Sequence, residues 1–241
     1  MEQFEVEIEM GSPMALGAMG CGPTLDSVLL ALMAERDGSE EEGLLKKLSK
    51  VLRIDAGLPA ASSLWPTGEP VWGRAAHPRV ASIDEVGAWQ DHKGSSYERK
   101  KDFVRGQWKT DMADFATAYS PVWSWWGCGD SAKIAGLLEG LSSVGAKRGI
   151  GYGFIARMSV QAEESVSVHE EEAQWRVQDV KGGLRLGRPV PMDQLEGFLV
   201  AAGATRDELV PERHMIVPLP RWPQPAWGGA ANLVPTMVPL L

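Results

Sequence analysis

Nine residues, Gly145-Ala-Lys-Arg-Gly-Ile-Gly-Tyr-Gly153, hold four glycines, two adjacent cations and one tyrosine. Residue types in this order suit the binding of a phosphate chain. Gly145, Gly149, Gly151 and Gly153 lack a Cβ, so the backbone can take positive φ and bring its N–H groups close to a partner. Lys147 and Arg148 add donors for phosphate oxygens, and Tyr152 offers a flat face on which a base can stack. The competing reading is a helix C-cap at Gly145 followed by a flexible turn.

A second group of cations precedes this loop. Lys93, Arg99, Lys100, Lys101, Arg105 and Lys109 stand against only Glu98 and Asp102, a local charge of +4, with Tyr97, Phe103 and Trp108 interleaved. Between Glu35 and Glu42 five acids face Arg36 alone, a local −4. The whole chain carries −8, which argues against a protein that coats nucleic acid with its entire surface. Segregated charge of this kind gives a basic groove on an acidic body, or else a solvated loop without a partner.

Catalytic and metal chemistries find less support. Cleavage of RNA by its own 2′-hydroxyl needs a base near a cation, for which the residues are His92 beside Lys93, His77, and Tyr97 near Lys100. No histidine is paired and no His-x-Lys spacing repeats, so binding is favoured over catalysis. Gly149-Ile-Gly-Tyr-Gly153 lacks the full dinucleotide fingerprint and follows no strand, and no Walker loop occurs. Met14, Met19 and Cys21 could suit a soft metal but fit hydrophobic contacts better. Two distant thiols, Cys21 and Cys128, and four scattered histidines make neither a disulfide framework nor a zinc motif, so no cofactor is expected. The apolar stretch Pro13–Cys21 is too short to span a bilayer and lacks a basic leader, which predicts a cytoplasmic protein without membrane contact.

Several elements must position these residues. Phe4, Val6, Ile8 and Met10 alternate with Glu5, Glu7 and Glu9, predicting a strand with one wet face. Leu25, Val28, Leu29, Leu32 and Met33 recur at helical spacing behind Thr24 as N-cap, with Asp37-Gly38 as the stop. Strand then helix opens a split βαβ unit. Residues 55–127 are rich in Gly, Pro and Trp and weakly periodic, and read as an insertion in which Trp123 and Trp125 share one face of a short strand. Asp130 caps a second helix that buries Ile134, Leu137, Leu138, Leu141 and Val144 and delivers the chain to the glycine-rich loop. Beyond it a strand carries Phe154, Ala156, Met158 and Val160. Trp175 and Val177 begin another, Lys181-Gly182-Gly183 is a turn, and Met192–Ala202 can form a helix. The proline-rich tail is expected to wrap over a surface in extended form.

This order resembles the RAMP superfamily of CRISPR-associated proteins, and within it the Cas-five-like subunit of type IV systems, called Csf-three. The matching motifs are Leu25 to Ala31, Gly129-Asp130, Lys147 to Gly153, Arg188 to Pro191 and the Trp222 to Trp227 tail, of which the glycine-rich loop is the distinctive one. The tail departs from the family pattern, reading Pro225-Ala-Trp227. The resemblance implies an α+β, ferredoxin-like (RRM-like) fold in which residues 1–74 and 123–241 form the RAMP domain and 75–122 a thumb-like insertion. It implies a noncatalytic subunit of a cytoplasmic antiviral ribonucleoprotein, holding the 5′ handle of CRISPR RNA through the loop and the thumb cations. The implied partners are CRISPR RNA, a Cas-seven-like backbone subunit, other effector subunits and, through the complex, target DNA. An endoribonuclease that processes precursor RNA and a protein-only scaffold are the alternatives.

Overall fold

The computed structural model describes residues 1–16, 21–37, 41–55, 57–79, 111–162, 175–220 and 233–241. Its first strand, β1 (Glu2–Met10), buries Phe4, Val6, Ile8 and Met10 and turns the intervening glutamates to the other face, as the alternation predicts. β2 (Met14–Ala15), α1 (Leu25–Asp37) and α2 (Glu41–Leu48) follow. Then come the short strands β3 (Ile54–Asp55), β4 (Leu58–Pro59) and β5 (Trp65–Pro66). A hairpin of two nine-residue strands, β6 (Val71–Arg79) and β7 (Asp111–Tyr119), leads to β8 (Val122–Gly129), α3 (Ser131–Leu138) and β9 (Ile155–Ala162).

The main sheet has the order β5-β8-β1-β9, antiparallel throughout. β8 lies between β1 and β5, and β1 lies between β8 and β9. These are two interleaved split βαβ units, the ferredoxin-like path. Trp125 stands opposite Val6 and Trp123 opposite Ile8. Both indoles are fully buried in a core shared with Leu25, Leu29, Ile134 and Leu138. Their N–H groups are satisfied, Trp123 donating to Ser120 O at 3.0 Å and Trp125 to Pro23 O at 2.9 Å, as buried tryptophans require.

Two expectations need correction. Residues 55–127 are not simply an insertion: Trp65, Trp123 and Trp125 are core residues and β8 is an inner strand of the main sheet. Periodicity hides this because β8 is covered on both faces, so Trp123, Ser124 and Trp125 are buried in succession. The second helix also stops at Leu138, six residues before Val144, because Glu139 leaves the α path at ψ 125 and Gly140 completes the turn at φ +86.

The C-terminal part has its own core. β10 (Val177–Val180) and β11 (Gly183–Leu186) form the expected hairpin about Lys181-Gly182. They pack Trp175, Val177 and Leu186 against Leu195, Phe198 and Leu199, the last three from α4 (Leu195–Val200). The tail does more than wrap: β12 (Val190–Pro191), β13 (His214–Pro220) and β14 (Leu233–Pro239) make a three-stranded sheet of order β12-β14-β13. Its prolines permit this through register. Pro218 faces Pro235, Pro220 faces Leu233 and Pro239 faces His214. These are alternate pairs of the ladder, and alternate pairs in an antiparallel ladder exchange no N–H···O bonds. The Trp222–Trp227 stretch lies outside the described residues. Among the described residues no helix is long and apolar enough to cross a membrane.

Candidate nucleic-acid interface

The glycine-rich loop is fixed at its base and open at its tip. At the base Val144 N–H donates to Gly153 O and Gly153 N–H to Pro13 O, at 2.9 and 2.8 Å, and Ala146 N–H donates to Ala15 O at 2.9 Å. Ser12 Oγ donates to Gly151 O and accepts from Phe154 N–H, both at 2.9 Å. A Cβ on Gly153, which sits at φ +68, would lie 1.8 Å from Val144 O, and one on Gly145, at φ +83, would lie 2.6 Å from Met14 Cγ. Both positions therefore demand glycine. A Cβ on Gly149 would meet nothing within 4 Å.

Lys147 is the tip's unusual residue, at φ 58 and ψ 27, the only non-glycine with positive φ among the described residues. The left-handed region costs an ordinary residue roughly 1–2 kcal/mol. It is followed directly by a right-handed 3-10 turn over Arg148–Ile150. A left-handed residue followed by a right-handed one turns successive N–H groups toward one point, a concavity suited to an anion. The N–H groups of Lys147, Arg148 and Gly149 find no acceptor among the described residues. Lys147 and Arg148 are exposed beside them. The tip thus presents three free backbone donors and two cations.

The loop also leans on the β6–β7 hairpin. Tyr152 packs against Phe115 of β7 with ring centroids 5.1 Å apart and planes at 87°, and Lys147 Nζ lies 5.7 Å from the centre of the Phe115 ring. Tyr152 is half-buried by this contact, so it anchors the loop as well as offering a ring edge to solvent. β7 is held in turn by β2, Met14 facing Ala118 and Ala15 facing Thr117. Phe115 and Ser12 are site residues that sequence reasoning missed. Neither belongs to a glycine-rich or basic run, and only the pairing of distant segments brings them to the loop.

The face of the main sheet opposite Trp123 and Trp125 carries the β1 glutamates. Glu5, Glu7 and Glu9 lie there beside Gln161, Ser159 and Arg157 of β9, and Glu5 and Glu7 beside Trp126 and Ser124 of β8. Only Arg157 brings a cation, 3.8 Å from Glu9. Three carboxylates in a row repel phosphate, in contrast to the cationic tip of the loop.

Of the residues expected to bind, the structure brings Gly145, Lys147, Arg148, Gly149, Gly151, Tyr152 and Gly153 together in one turn. Lys93, Arg99, Lys100, Lys101, Arg105 and Lys109 lie outside the described residues, as do His92 and Tyr97. His77 falls on β6. Beside the loop, Val28, Leu32 and Glu35 of α1 and Leu141, Val144 and Arg148 border a groove of about 220 Å³. No group of three or more His, Cys, Asp or Glu side chains among the described residues is placed to hold a metal.

No protein-family model matches the chain, and no curated protein matches its sequence. Among solved structures it is similar to a chain in the cryo-EM structure of the Type III-B Cmr-beta bound to cognate target RNA. The identity there is 9% and the TM-score 0.36, over 67% of this chain and 61% of that one, so this chain spans less than two thirds of that neighbour's length. It is also similar to a chain in the crystal structure of the Csm3–Csm4 subcomplex in the type III-A CRISPR-Cas interference complex, at 10% identity and a TM-score of 0.40, over 99% of this chain and 91% of that one. Neither description names a type IV system.

Proposed function

We propose that this chain is a noncatalytic RNA-holding subunit whose glycine-rich loop grips a phosphate of single-stranded RNA. One observation carries the reading: the free N–H groups of Lys147, Arg148 and Gly149 converge beside two exposed cations on a loop that spends conformational strain to hold that shape. The split βαβ path and the motifs Leu25 to Ala31, Lys147 to Gly153 and Arg188 to Pro191 support a RAMP-type subunit of a CRISPR effector. In the finer form of the proposal the RNA is the 5′ handle of a guide, and the chain caps a Cas-seven-like backbone in a cytoplasmic type IV complex. The thumb cations Lys93 to Lys109 would add phosphate contacts there, and target DNA would be met only through the assembly.

Purification of the chain from its native host with whatever it retains tests this directly. Co-purifying RNA species that share one 5′ sequence are expected, in company with a repeated backbone subunit. Recovery of partner proteins with no RNA would overturn the proposal in favour of a protein-only scaffold. That second reading has its own support, since the paired Val71 and Tyr119 on one face of the β6–β7 hairpin and Trp72 on the other expose apolar surface.

A further inference from the structure

Arg185, on β11, is a cation without a counterion among the described residues. Its guanidinium lies 3.6 Å from the centre of the Trp65 ring, and its one hydrogen bond is to Gln178 Oε1 at 2.8 Å. Its Nε–H is buried with no acceptor, and no carboxylate pairs with it, among the described residues. The neighbouring turn adds charge of the same sign. Leu186 N–H donates to His214 Nε2 at 3.1 Å, and Val210 N–H donates to Leu184 O at 3.0 Å. These bonds lay the Pro211–Arg213 turn along β11. Burial first, and the Arg213 guanidinium second, push Arg185 down to about 10. Burial, and Arg185 with it, push the His214 pKa down beside them.

A half-buried guanidinium stacked on Trp65, with no acid paired to it among the described residues and with Arg213 on the turn laid along its strand, is an arrangement that costs stability unless an anion completes it. Stacking on Trp65 offsets part of that cost but cannot satisfy the in-plane donors, because an indole face accepts no directed N–H bond of that kind. A guanidinium fork matches a phosphate oxygen pair in shape and charge. We infer that Arg185 and Arg213 form a phosphate-binding site on the C-terminal module, separate from the glycine-rich loop. The phosphate could belong to a free phosphorylated ligand or to an RNA backbone, and the two sources are told apart by the same experiment.

The intact chain is titrated with inorganic phosphate at constant ionic strength, with chloride and acetate as controls, and its melting temperature is followed. Wild type is expected to show a saturable rise with phosphate alone. R213Q, at a residue exposed on its turn, keeps the fold and is expected to weaken phosphate about tenfold, the effect of one charge-assisted hydrogen bond. R185M, which preserves the stem against Trp65, is expected to abolish the response. K147A/R148A is expected to retain it, which keeps this site's test independent of the loop's. In the RNA arm, a salt slope that falls with R213Q assigns the phosphate to the RNA backbone, and an unchanged slope assigns it to a small ligand. A response equal for acetate and phosphate, or one that survives in both R213Q and R185M, would overturn the inference.

Discussion

Asp26 and Arg188, 162 residues apart, meet as a buried ion pair at 3.4 Å. Asp26 comes from the Leu25–Ala31 stretch of α1 and Arg188 from the Arg-Pro-Val-Pro turn, so two motifs that carried the family resemblance are one structural contact. Arg188 also donates to Ala61 O at 3.1 Å and to Pro59 O. The pair fastens the C-terminal module to the first helix and to the segment leading to β5.

Removing one partner leaves the other charge buried. R188M is therefore expected to lower unfolding stability by about 3–5 kcal/mol, measured by chemical denaturation. D26N/R188M should recover part of that loss. A cost below about 1 kcal/mol for R188M would show that the pair does not hold the two parts together.

The loop glycines divide into required and permissive positions. G153A combines positive φ with a Cβ 1.8 Å from Val144 O and is expected to destabilise by more than about 2 kcal/mol. G149A meets open space and should stay within about 0.5 kcal/mol of wild type. Thermal melts of the two variants side by side check this, and equal losses would contradict the loop geometry.

Phe115 is a support and not a phosphate ligand. F115A removes the Tyr152 edge contact and the Lys147 cation–π contact, each worth about 0.5–1.5 kcal/mol. RNA affinity is expected to fall several-fold while the salt slope stays at its wild-type value. A changed slope would place Phe115 in a different role.

His214 makes stability depend on pH. Its Nδ1–H donates to Val210 O at 2.8 Å and its Nε2 accepts from Leu186 N–H, so the folded state needs the neutral ring. Burial, with help from Arg185, lowers its pKa below the ordinary 6.5. A depressed histidine contributes its full stability above the unfolded value and loses it as pH falls through the folded value. The melting temperature is thus expected to drop as pH falls below about 6.5, and H214Q, which can still accept from Leu186 N–H, should flatten that drop.

Much of this architecture was legible where burial is one-sided. The alternation of β1 and the spacing in α1 named their faces correctly, and Trp123 and Trp125 were placed on one side of a strand. The β8 strand was underestimated because a two-sided environment erases alternation, and the tail sheet because proline's compatibility depends on register. At the site, the loop was visible from its glycines and cations. Its αL residue at Lys147 and its supports Phe115 and Ser12 were not, since they follow from contacts between segments that the chain itself keeps far apart.

The central claim is that the Lys147–Gly149 tip holds RNA phosphate. The most direct test is the salt dependence of single-stranded RNA binding by wild type and K147A/R148A, measured by filter binding from low to moderate salt. Two lost phosphate contacts should reduce the slope of log affinity against log salt by roughly 1.4, about 0.7 for each contact on a single strand, with the fold retained. An identical affinity and slope in the double variant would contradict the account.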